Sequence, residues 1–352
     1  MRTILVTGGC GFIGSHTCLV LLEKGYRIII VDSLINSSEE IINAIKSNVK
    51  VPSFTEDNLI FRRGDIRDKL FLENVFKEER RRNMPINLVI HFAALKAVNE
   101  SVQNPIEYWN NNVLGTINLI EVMSKNDCFK FVFSSSATIY KPMLNKQICE
   151  DSEIGPINPY GNTKLAIEKF LSDLFRSNSN KWKIVSLRYF NPVGAHNSGN
   201  LGENPKGIPN NLFPILLKVA LKKQDYLRVF GNDWPTKDGT CVRDYIHVMD
   251  LAEAHVSALN YLNETKPNII GINIGTGTGQ SILEIIETFK KVNNCDLPFK
   301  FIDRRPGDAP YVVANNSLAL KTIKWIPSRN LEDMCRDSWN YAKKQNTIMH
   351  KI

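Results

Sequence analysis

A tyrosine and a lysine spaced four residues apart have the chemistry for proton transfer in this chain. Tyr160 and Lys164 form the pattern Y-x-x-x-K in a segment predicted to be helical, so their side chains share one face. A free tyrosine, with a pKa of about 10, is a poor base at neutral pH. A neighbouring ammonium favours the phenolate, and the hydroxyl of Ser136, at the end of a predicted strand, could relay the proton. The three residues predict a catalytic site for general acid–base chemistry.

A glycine-rich segment near the N-terminus has the spacing of a dinucleotide-binding turn. Gly9, Gly11 and Gly14 give G-x-G-x-x-G, overlapping a second pattern that starts at Gly8, between a predicted strand and a predicted helix. Glycine lets the backbone turn tightly and approach a pyrophosphate, which then meets the free N–H groups of the helix. Asp32 ends the second strand, where its carboxylate could bind both ribose hydroxyls and would repel a 2′-phosphate. These residues predict NAD rather than NADP as the cofactor.

Alternating strand and helix signals predict the scaffold that positions these residues. The first half of the chain has the pattern of a doubly wound parallel Rossmann sheet, with strands at Thr3–Thr7, Arg27–Val31, Leu59–Phe61, Leu88–Phe92, Phe129–Phe133 and Ile184–Leu187. The second half predicts helices near 212–223, 250–262, 281–292 and 331–344, and short strands near 227–230, 269–272 and 299–302. We therefore predict an α/β protein with a Rossmann domain at 1–188, which also uses a segment near 240–265, and a smaller mixed α/β substrate-binding domain at 189–345.

The charge of the chain leaves three interpretations open. Its 352 residues include 44 Lys and Arg against 36 Asp and Glu, a formal net charge of +8. This excess is compatible with a nucleic-acid surface, with a small anionic substrate, or with ordinary solvated faces. The most basic run, Lys77–Arg82, contains two glutamates and lacks the interleaved aromatic residues of a single-strand nucleic-acid groove. We therefore predict no nucleic-acid partner.

Cysteine usage and hydropathy indicate the compartment. The seven cysteines include no C-x-x-C pair, which is typical of reduced thiols in a cytosol-like environment. No apolar run reaches the ~18 residues that span a bilayer, and the N-terminus lacks the pattern of a signal peptide. No His, Cys, Asp or Glu cluster has the spacing of metal ligands. We predict a soluble cytoplasmic protein with neither a membrane nor a metal partner.

Across almost its full length, the chain resembles the UDP-glucose 4-epimerase family of extended short-chain dehydrogenases/reductases. The resemblance rests on ordered segments, which are TGGCGFIGSHT (7–17), HFAALKAV (91–98), ESVQNP (100–105), FSSSATIY (133–140), NPYGNTK (158–164), LRYFNPVGAH (187–196), GIPNNL (207–212), GTCVRDYIHVMDLA (239–252) and RRPGDAP (304–310). It implies interconversion of UDP-glucose and UDP-galactose through a transient 4-keto sugar, with NAD as cofactor. It also implies a homodimer joined by a helical bundle, for which the 105–125 and 159–177 helices are candidates.

The resemblance also implies the residues of the site. The implied NAD contacts are Gly8, Gly11, Phe12, Ile13, Gly14, Asp32, Asp65, Ile66, Phe92, Lys96, Asn112, Ser136, Tyr160, Lys164 and Phe190. The implied contacts to the UDP-hexose are Ser136, Tyr160, Asn191, Asn211, Leu212, Arg228, Val229, Phe230, Arg243, Arg305, Asp308 and Val312. This fits their chemistry, because Arg243 and Arg305 offer planar forks for a diphosphate and Asp308 offers an acceptor for a ribose.

Four positions bear on how this chain differs from the family. Asn99, Lys141 and Pro306 depart from the usual residues, and we expect only local loop effects from them. Val312 stands where the resemblance associates a tyrosine with exclusion, and a smaller residue with admission, of an N-acetyl group. We therefore predict that UDP-GlcNAc and UDP-GalNAc are accepted as well.

Two other functions have to be weighed against epimerisation. The first is that of another sugar-nucleotide enzyme of the same fold, a 4,6-dehydratase or a decarboxylase. Dehydratases of this kind carry an acidic pair after the strand-end hydroxyl, whereas Ala137 and Thr138 follow Ser136 here. The second is a non-catalytic NAD-binding protein, which we would expect to lack Tyr160 or Lys164. Both alternatives are disfavoured by the residues present.

Overall fold

The computed structural model describes residues 2–143, 146–206, 211–305 and 307–349. Pro306 and residues 207–210 of the segment GIPNNL therefore lie outside the described residues. The strands are β1 (Thr3–Thr7), β2 (Arg27–Asp32), β3 (Leu59–Arg63), β4 (Ile86–His91), β5 (Lys130–Ser136), β6 (Lys183–Tyr189), β7 (Asn191–Val193), β8 (Leu227–Phe230), β9 (Val242–His247), β10 (Asn268–Ile274), β11 (Gly279–Ser281), β12 (Phe299–Ile302) and β13 (Tyr311–Val312).

Helices alternate with these strands. They are α1 (Phe12–Glu23), α2 (Glu40–Asn48), α3 (Lys69–Arg81), α4 (Val98–Gln103), α5 (Pro105–Tyr108), α6 (Gly115–Lys125), α7 (Pro159–Ser177), α8 (Leu212–Ala220), α9 (Val248–Glu264), α10 (Ile282–Asn293), α11 (Ser317–Ile323) and α12 (Leu331–Met349). A π-helical turn at Trp109–Leu114 joins α5 to α6. Within the described ranges, no helix is both long enough and apolar enough to cross a membrane.

The main sheet confirms the predicted α/β fold and corrects its strand count. Seven strands of the described residues pair in parallel in the order β10-β6-β5-β4-β1-β2-β3. The six predicted strands are β1 to β6. The seventh, β10, was expected in the substrate-binding domain, yet it pairs with β6 from Asn268 opposite Lys183 to Ile274 opposite Tyr189. The prediction of a six-stranded sheet was therefore wrong, because an apolar run does not reveal which distant strand it joins.

The two faces of the sheet are buried in different cores, as expected for parallel strands covered by helices. Along β1, Ile4 and Val6 face a core that contains α1 and α9, whereas Leu5 faces the core shared with α3, α6 and α7. Helix α9 thus packs on the main sheet, whereas β9, which lies in the same segment near 240–265, pairs in a smaller sheet. The domain boundary at 188/189 stays a prediction.

Smaller sheets and their helices form the remainder of the described structure. Strands β11, β9 and β13 form one sheet with β7 alongside β9, while β12 pairs with β8 in parallel. Helices α8, α10 and α12 cover these strands, and a third apolar core forms around Phe213, Leu227, Ile285 and Phe289. This arrangement places β8 and β9 opposite the carboxyl ends of β1, β4 and β5, where ligands bind in open parallel sheets.

Candidate active site

One cavity of about 1200 Å³ runs between the carboxyl edge of the main sheet and the smaller sheets. The glycine turn, Asp32 and Asp65 line one end, and Arg228, Arg243, Arg305 and Asp308 line the other. Ser136, Tyr160 and Lys164 also line it. The fold therefore brings the predicted dinucleotide, catalytic and substrate residues to one continuous space.

The glycine turn at the start of α1 has no room for side chains. Gly8 has a φ of +72°, and a Cβ there would lie 2.6 Å from the backbone nitrogen of Ala93. A Cβ on Gly14 would lie 2.3 Å from the carbonyl oxygen of Gly8. Gly11 is the N-cap of α1, and no side chain caps the N–H groups of the first turn. These features fit a pyrophosphate, because the backbone can approach it closely and offer unpaired N–H donors.

Asp32 is oriented by three hydrogen bonds at the end of β2. One carboxylate oxygen accepts from the backbone N–H of Cys10 at 2.9 Å. The other accepts from the N–H of Leu34 at 2.9 Å and from the hydroxyl of Ser37 at 3.0 Å. The carboxylate is buried and borders the cavity, where the ribose of a dinucleotide would offer two hydroxyl donors.

Asp65, at the same end of the cavity, is held by a neighbouring guanidinium. Arg67 donates from Nη2 to Oδ2 at 2.7 Å and from Nε to Oδ1 at 3.1 Å. These hydrogen bonds hold the pKa of Asp65 below its usual range, although partial burial acts in the opposite direction. Asp65 therefore stays an anionic acceptor at the end of the cavity where the resemblance implies a contact with NAD.

The catalytic residues meet where β5 ends and α7 begins. Asn158 caps α7 by accepting from the N–H of Gly161 at 2.9 Å, which fixes the first turn that carries Tyr160. The Nζ of Lys164 donates to the carbonyl oxygen of Ser134 at 2.6 Å and lies 5.8 Å from the centroid of the Tyr160 ring. The hydroxyl of Ser136 is close enough to the phenol of Tyr160 to act on its pKa. The three predicted catalytic residues are thus within reach of one another.

Burial perturbs both titratable catalytic groups. It raises the pKa of Tyr160 to about 12, while the hydroxyl of Ser136 acts to lower it. It lowers the pKa of Lys164 to about 7, while the carboxylate of Glu168 acts to raise it. The lowered tyrosine pKa expected from the sequence is therefore opposed by desolvation, and positive charge beside the phenol has to offset it.

The opposite end of the cavity gathers charged side chains from two segments. Arg243, on β9, donates from Nη1 to the carbonyl oxygen of Ala309 at 2.7 Å, and its Nη2 lies 3.8 Å from Asp308. Arg305 donates from Nε to Asp308 at 3.2 Å, and its guanidinium lies 4.5 Å from the centroid of the Phe230 ring. Two guanidinium groups and one carboxylate thus surround the space predicted for the diphosphate and the ribose.

Known proteins with this sequence pattern decide the family. A family model described as GDP-mannose 4,6 dehydratase matches residues 5–338. UDP-glucose 4-epimerase from Bacillus subtilis (strain 168) is 50% identical over 339 residues, 96% of this chain and 96% of that protein. UDP-glucose 4-epimerase 1 from Oryza sativa subsp. japonica is 49% identical over 346 residues, 98% of this chain and 95% of that protein. The chain belongs to the UDP-glucose 4-epimerase family.

Solved structures agree with this membership of the epimerase family. The UDP-glucose 4-epimerase from Stenotrophomonas maltophila, with bound NAD and formylated UDP-arabinopyranose, matches with a TM-score of 0.93 and 40% identity over 99% of this chain and 100% of that one. The UDP-glucose 4-epimerase from Bifidobacterium longum, in complex with NAD+ and UDP, matches with a TM-score of 0.90 and 43% identity, over 98% of this chain and 99% of that one. The predicted family, fold class and enzyme class are confirmed, and the dehydratase alternative is not favoured.

Two residues expected to contact ligands do not border the cavity of this epimerase. Asn112 is fully buried; its side chain accepts from the N–H of Leu95 at 2.8 Å and donates to the hydroxyl of Thr163 at 3.1 Å. It therefore fixes the loop after β4 against α7. Val312 packs with the apolar cluster around Ile139 and Phe190. Both residues shape the cavity through their neighbours.

Sequence reasoning missed some residues that line the cavity of this epimerase. Glu203 lies 3.4 Å from the Nζ of Lys96 and accepts from the side-chain amide of Asn211 at 3.1 Å, so it links the two ends of the cavity. Asn99 also lines the wall, and the expectation of a local loop effect at this position stays a prediction. Lys141 pairs with Glu153 at 2.8 Å on the surface, as a local effect would require. The only sequence signal that pointed to Glu203 is the Asn-, Gly- and Pro-rich composition of residues 189–211, which is typical of a loop.

Proposed function

We propose that this protein is an NAD-dependent 4-epimerase that interconverts UDP-glucose and UDP-galactose. The observation that carries the proposal is the position of Ser136, Tyr160 and Lys164 on the wall between the two ends of one cavity. One end offers backbone N–H groups and a ribose acceptor, and the other offers two guanidinium groups. A dinucleotide and a sugar nucleotide bound at these ends would meet at Tyr160.

NAD is the cofactor, and the residues of the first end fit it. The backbone of Gly8, Gly11 and Gly14 would hold the pyrophosphate, since Cβ atoms on Gly8 and Gly14 would clash with neighbouring backbone. Asp32 would bind the adenosine ribose, and its negative charge disfavours a 2′-phosphate. When bound, the nicotinamide supplies the acceptor and donor of a hydride.

The protein's own groups supply proton transfer and orientation. In its phenolate form, Tyr160 removes the proton of the sugar C4 hydroxyl, and Ser136 shares this hydrogen bond. The Lys164 ammonium stabilises the phenolate and so offsets the effect of burial. Arg243 and Arg305 anchor the diphosphate, which leaves the 4-keto sugar free to turn and to take the hydride back on the other face of its C4. The phenol then returns the proton to the same oxygen.

Product analysis tests this function against the alternatives. Purified protein is incubated with UDP-galactose without added NAD, and the products are separated by chromatography and mass spectrometry. We expect UDP-glucose, isomeric with the substrate, with no net reduced cofactor. Loss of one water would indicate a dehydratase, and the absence of any turnover by a protein that binds NAD would indicate a non-catalytic role. Either result would reject the proposal.

We further propose that UDP-GlcNAc and UDP-GalNAc are substrates. Val312 is a small apolar residue on β13, opposite Arg243 in the register of β9, and packs against Phe190 at the cavity wall. A larger ring in its place would press on this wall. We expect Val312→Tyr to lower turnover of UDP-GlcNAc roughly tenfold and to leave turnover of UDP-galactose nearly unchanged. Wild-type protein that converts UDP-galactose but not UDP-GlcNAc would contradict this proposal.

A homodimer is supported by an apolar face that the described structure leaves exposed. The exposed large apolar side chains on α4, α5 and the π-helical turn are Val98 (39%), Val102 (62%), Ile106 (78%), Trp109 (44%) and Leu114 (45%). Apolar residues clustered in this way are typical of protein interfaces. We expect light scattering to give a dimer mass and Ile106→Lys to shift it toward the monomer. A wild-type monomer at micromolar concentration would contradict this proposal.

We also propose a cytoplasmic location. All seven cysteines are free thiols, and five of them are buried. Such thiols are typical of proteins kept in a reducing compartment. Cell fractionation with compartment markers tests this assignment, and recovery in an oxidising compartment would contradict it.

A further inference from the structure

A third titratable residue shares the catalytic face of α7. Glu168 lies four residues beyond Lys164, which itself lies four residues beyond Tyr160, so the three side chains follow one another along the helix. The side chain of Glu168 is 12% exposed and, unlike those of Tyr160 and Lys164, does not line the cavity. It is therefore a part-buried carboxylate one turn beyond Lys164, and the reaction as described above does not use it.

Buried donors hold the carboxylate of Glu168 in place. Arg188, on β6, donates from Nη2 to Oε2 at 2.7 Å and from Nε to Oε1 at 3.1 Å. Ser135, on β5, donates its hydroxyl to Oε1 at 2.5 Å. Ser135 immediately precedes Ser136 on β5. The hydrogen bond of Ser135 with Glu168 therefore connects α7 to the strand end that carries Ser136, the proposed proton relay. The bidentate contact with Arg188 also fixes the orientation of the carboxylate.

Arg188 has further partners that keep it in place. Its Nη1 donates to the phenol oxygen of Tyr140 at 2.7 Å and to the carbonyl oxygen of Glu150 at 3.1 Å. The phenol of Tyr140 donates in turn to Asn273 at 2.7 Å, and the carboxylate of Glu150 accepts from the N–H of Asn273 at 2.8 Å. The Glu168 carboxylate is thus the end of a network that extends to β10.

Lys164 needs a compensating negative charge because its ammonium is buried. Its Nζ has one hydrogen bond, to the carbonyl oxygen of Ser134, and lies 4.9 Å from the centroid of the Phe133 ring. Burial lowers the pKa of Lys164 to about 7, and the negative charge of Glu168 raises it. A neutral lysine could not stabilise the Tyr160 phenolate.

The other titratable groups near this pair do not supply that charge. His91, on β4, is buried, and its pKa is lowered to about 3, so it is neutral at physiological pH. Tyr189, on β6, and Tyr108, on α5, have phenol pKa values raised by burial and are neutral as well. Glu100, on α4, is exposed and hydrogen-bonded to Tyr108 at 2.9 Å.

We propose that Glu168 is a positioning residue for proton transfer, whose carboxylate, held by Arg188 and Ser135, keeps Lys164 cationic beside Tyr160. The proposal rests on the proposed function, since it concerns the base of that reaction. It makes the face Tyr160–Lys164–Glu168 one electrostatic unit, in which the carboxylate stabilises the ammonium and the ammonium stabilises the phenolate.

The variant Glu168→Gln removes the charge and keeps an oxygen that can accept hydrogen bonds. Turnover of UDP-galactose is measured with the NAD-loaded protein between pH 6 and 9.5. In the plot of kcat against pH, we expect the alkaline limb of the Glu168→Gln variant to lie about one pH unit lower than that of the wild type, because Lys164 loses its proton more easily. The loss of kcat should therefore grow from about threefold at pH 6.5 to about tenfold at pH 8.5, with little change in KM.

A second buried Arg–Glu pair provides the matched control. Arg27 and Glu79 are 2.5 Å apart, with side chains 4% and 2% exposed, in the packing between β2 and α3 and away from the cavity. Glu79→Gln should lower the melting temperature without moving the alkaline limb. If Glu168→Gln does not fold, the variant Glu168→Asp, which keeps the negative charge but shortens the side chain by one methylene, should move the limb in the same direction by a smaller amount.

A spectroscopic measurement reports on Lys164 without turnover. Lysine labelled with carbon-13 at Cε is titrated by NMR, and the Lys164 signal is identified by its absence from Lys164→Met. We expect its titration midpoint to fall in Glu168→Gln and to stay at the wild-type pH in Glu79→Gln. An unchanged midpoint, with a loss of kcat that is the same at every pH, would overturn the role of Glu168. A wild-type protein without epimerase activity would instead reject the proposed function.

Discussion

The two ends of the cavity are built in different ways. The dinucleotide end depends on backbone, with glycines that leave no space for a Cβ and a carboxylate fixed by local N–H donors such as that of Cys10. The sugar-nucleotide end depends on charged side chains from separate segments, with Arg243 on β9 meeting Asp308 after a separation of 65 residues. We infer that substitutions at the first end act through backbone geometry, whereas those at the second act through charge.

The largest effect should come from filling the glycine turn. Gly8 and Gly25 both have positive φ, +72° and +79°, but a Cβ on Gly25 would meet nothing within 4 Å. We expect Gly25→Ala to cost about 1 kcal/mol of unfolding free energy from backbone strain, and Gly8→Ala about 2–5 kcal/mol because overpacking against Ala93 adds to it. Chemical denaturation measures both values, and the NAD content should fall in Gly8→Ala alone. Equal costs would contradict the claim that the close approach of Ala93 makes Gly8 necessary.

An intermediate effect is expected from Arg243→Met at the other end. Arg243 is half-buried, and its long stem is retained by methionine, so the fold should persist. Losing one charged donor to the diphosphate should raise KM for UDP-galactose roughly 10- to 100-fold. Steady-state kinetics and NAD content are measured together. If NAD content fell while KM stayed constant, the assignment of Arg243 to the sugar-nucleotide end would be wrong.

The smallest effect is expected at Lys141, outside both ends of the cavity. Its ion pair with Glu153 has side chains that are 56% and 68% exposed. Exposed pairs of this kind contribute about 0.5 kcal/mol or less. We expect Lys141→Ala to change the unfolding free energy by no more than that and to leave kcat and KM unchanged. A tenfold change in either kinetic constant would show that this departure from the family reaches the active site.

The same comparison explains what could be predicted from sequence. The glycine turn and the pair Tyr160 and Lys164 were predictable, because their chemistry depends on short spacings along one turn or one helix. The hydrogen bonds of the Asn112 side chain with Leu95 and Thr163 could not be predicted, because they join segments that only folding brings together.

Long-range strand pairing and side-chain burial account for the other features that could not be predicted from the sequence. The place of β10 beside β6 depends on partners about 85 residues apart, and an apolar run does not specify its partner. The sequence spacing of Tyr160 and Lys164 also did not reveal that burial raises the pKa of the tyrosine, an effect that the neighbouring ammonium has to offset. Glu168 escaped notice because its partner Arg188 lies on another strand.

The central claim is that Tyr160 moves the proton where the two ends of the cavity meet. Tyr160→Phe removes one oxygen and keeps the ring, so the fold and the NAD content should be unchanged. Turnover of UDP-galactose is measured alongside NAD content and melting temperature. We predict a loss in kcat of about 1000-fold with the other two quantities at wild-type values. A folded, NAD-loaded variant that kept a tenth of the wild-type kcat or more would contradict the account.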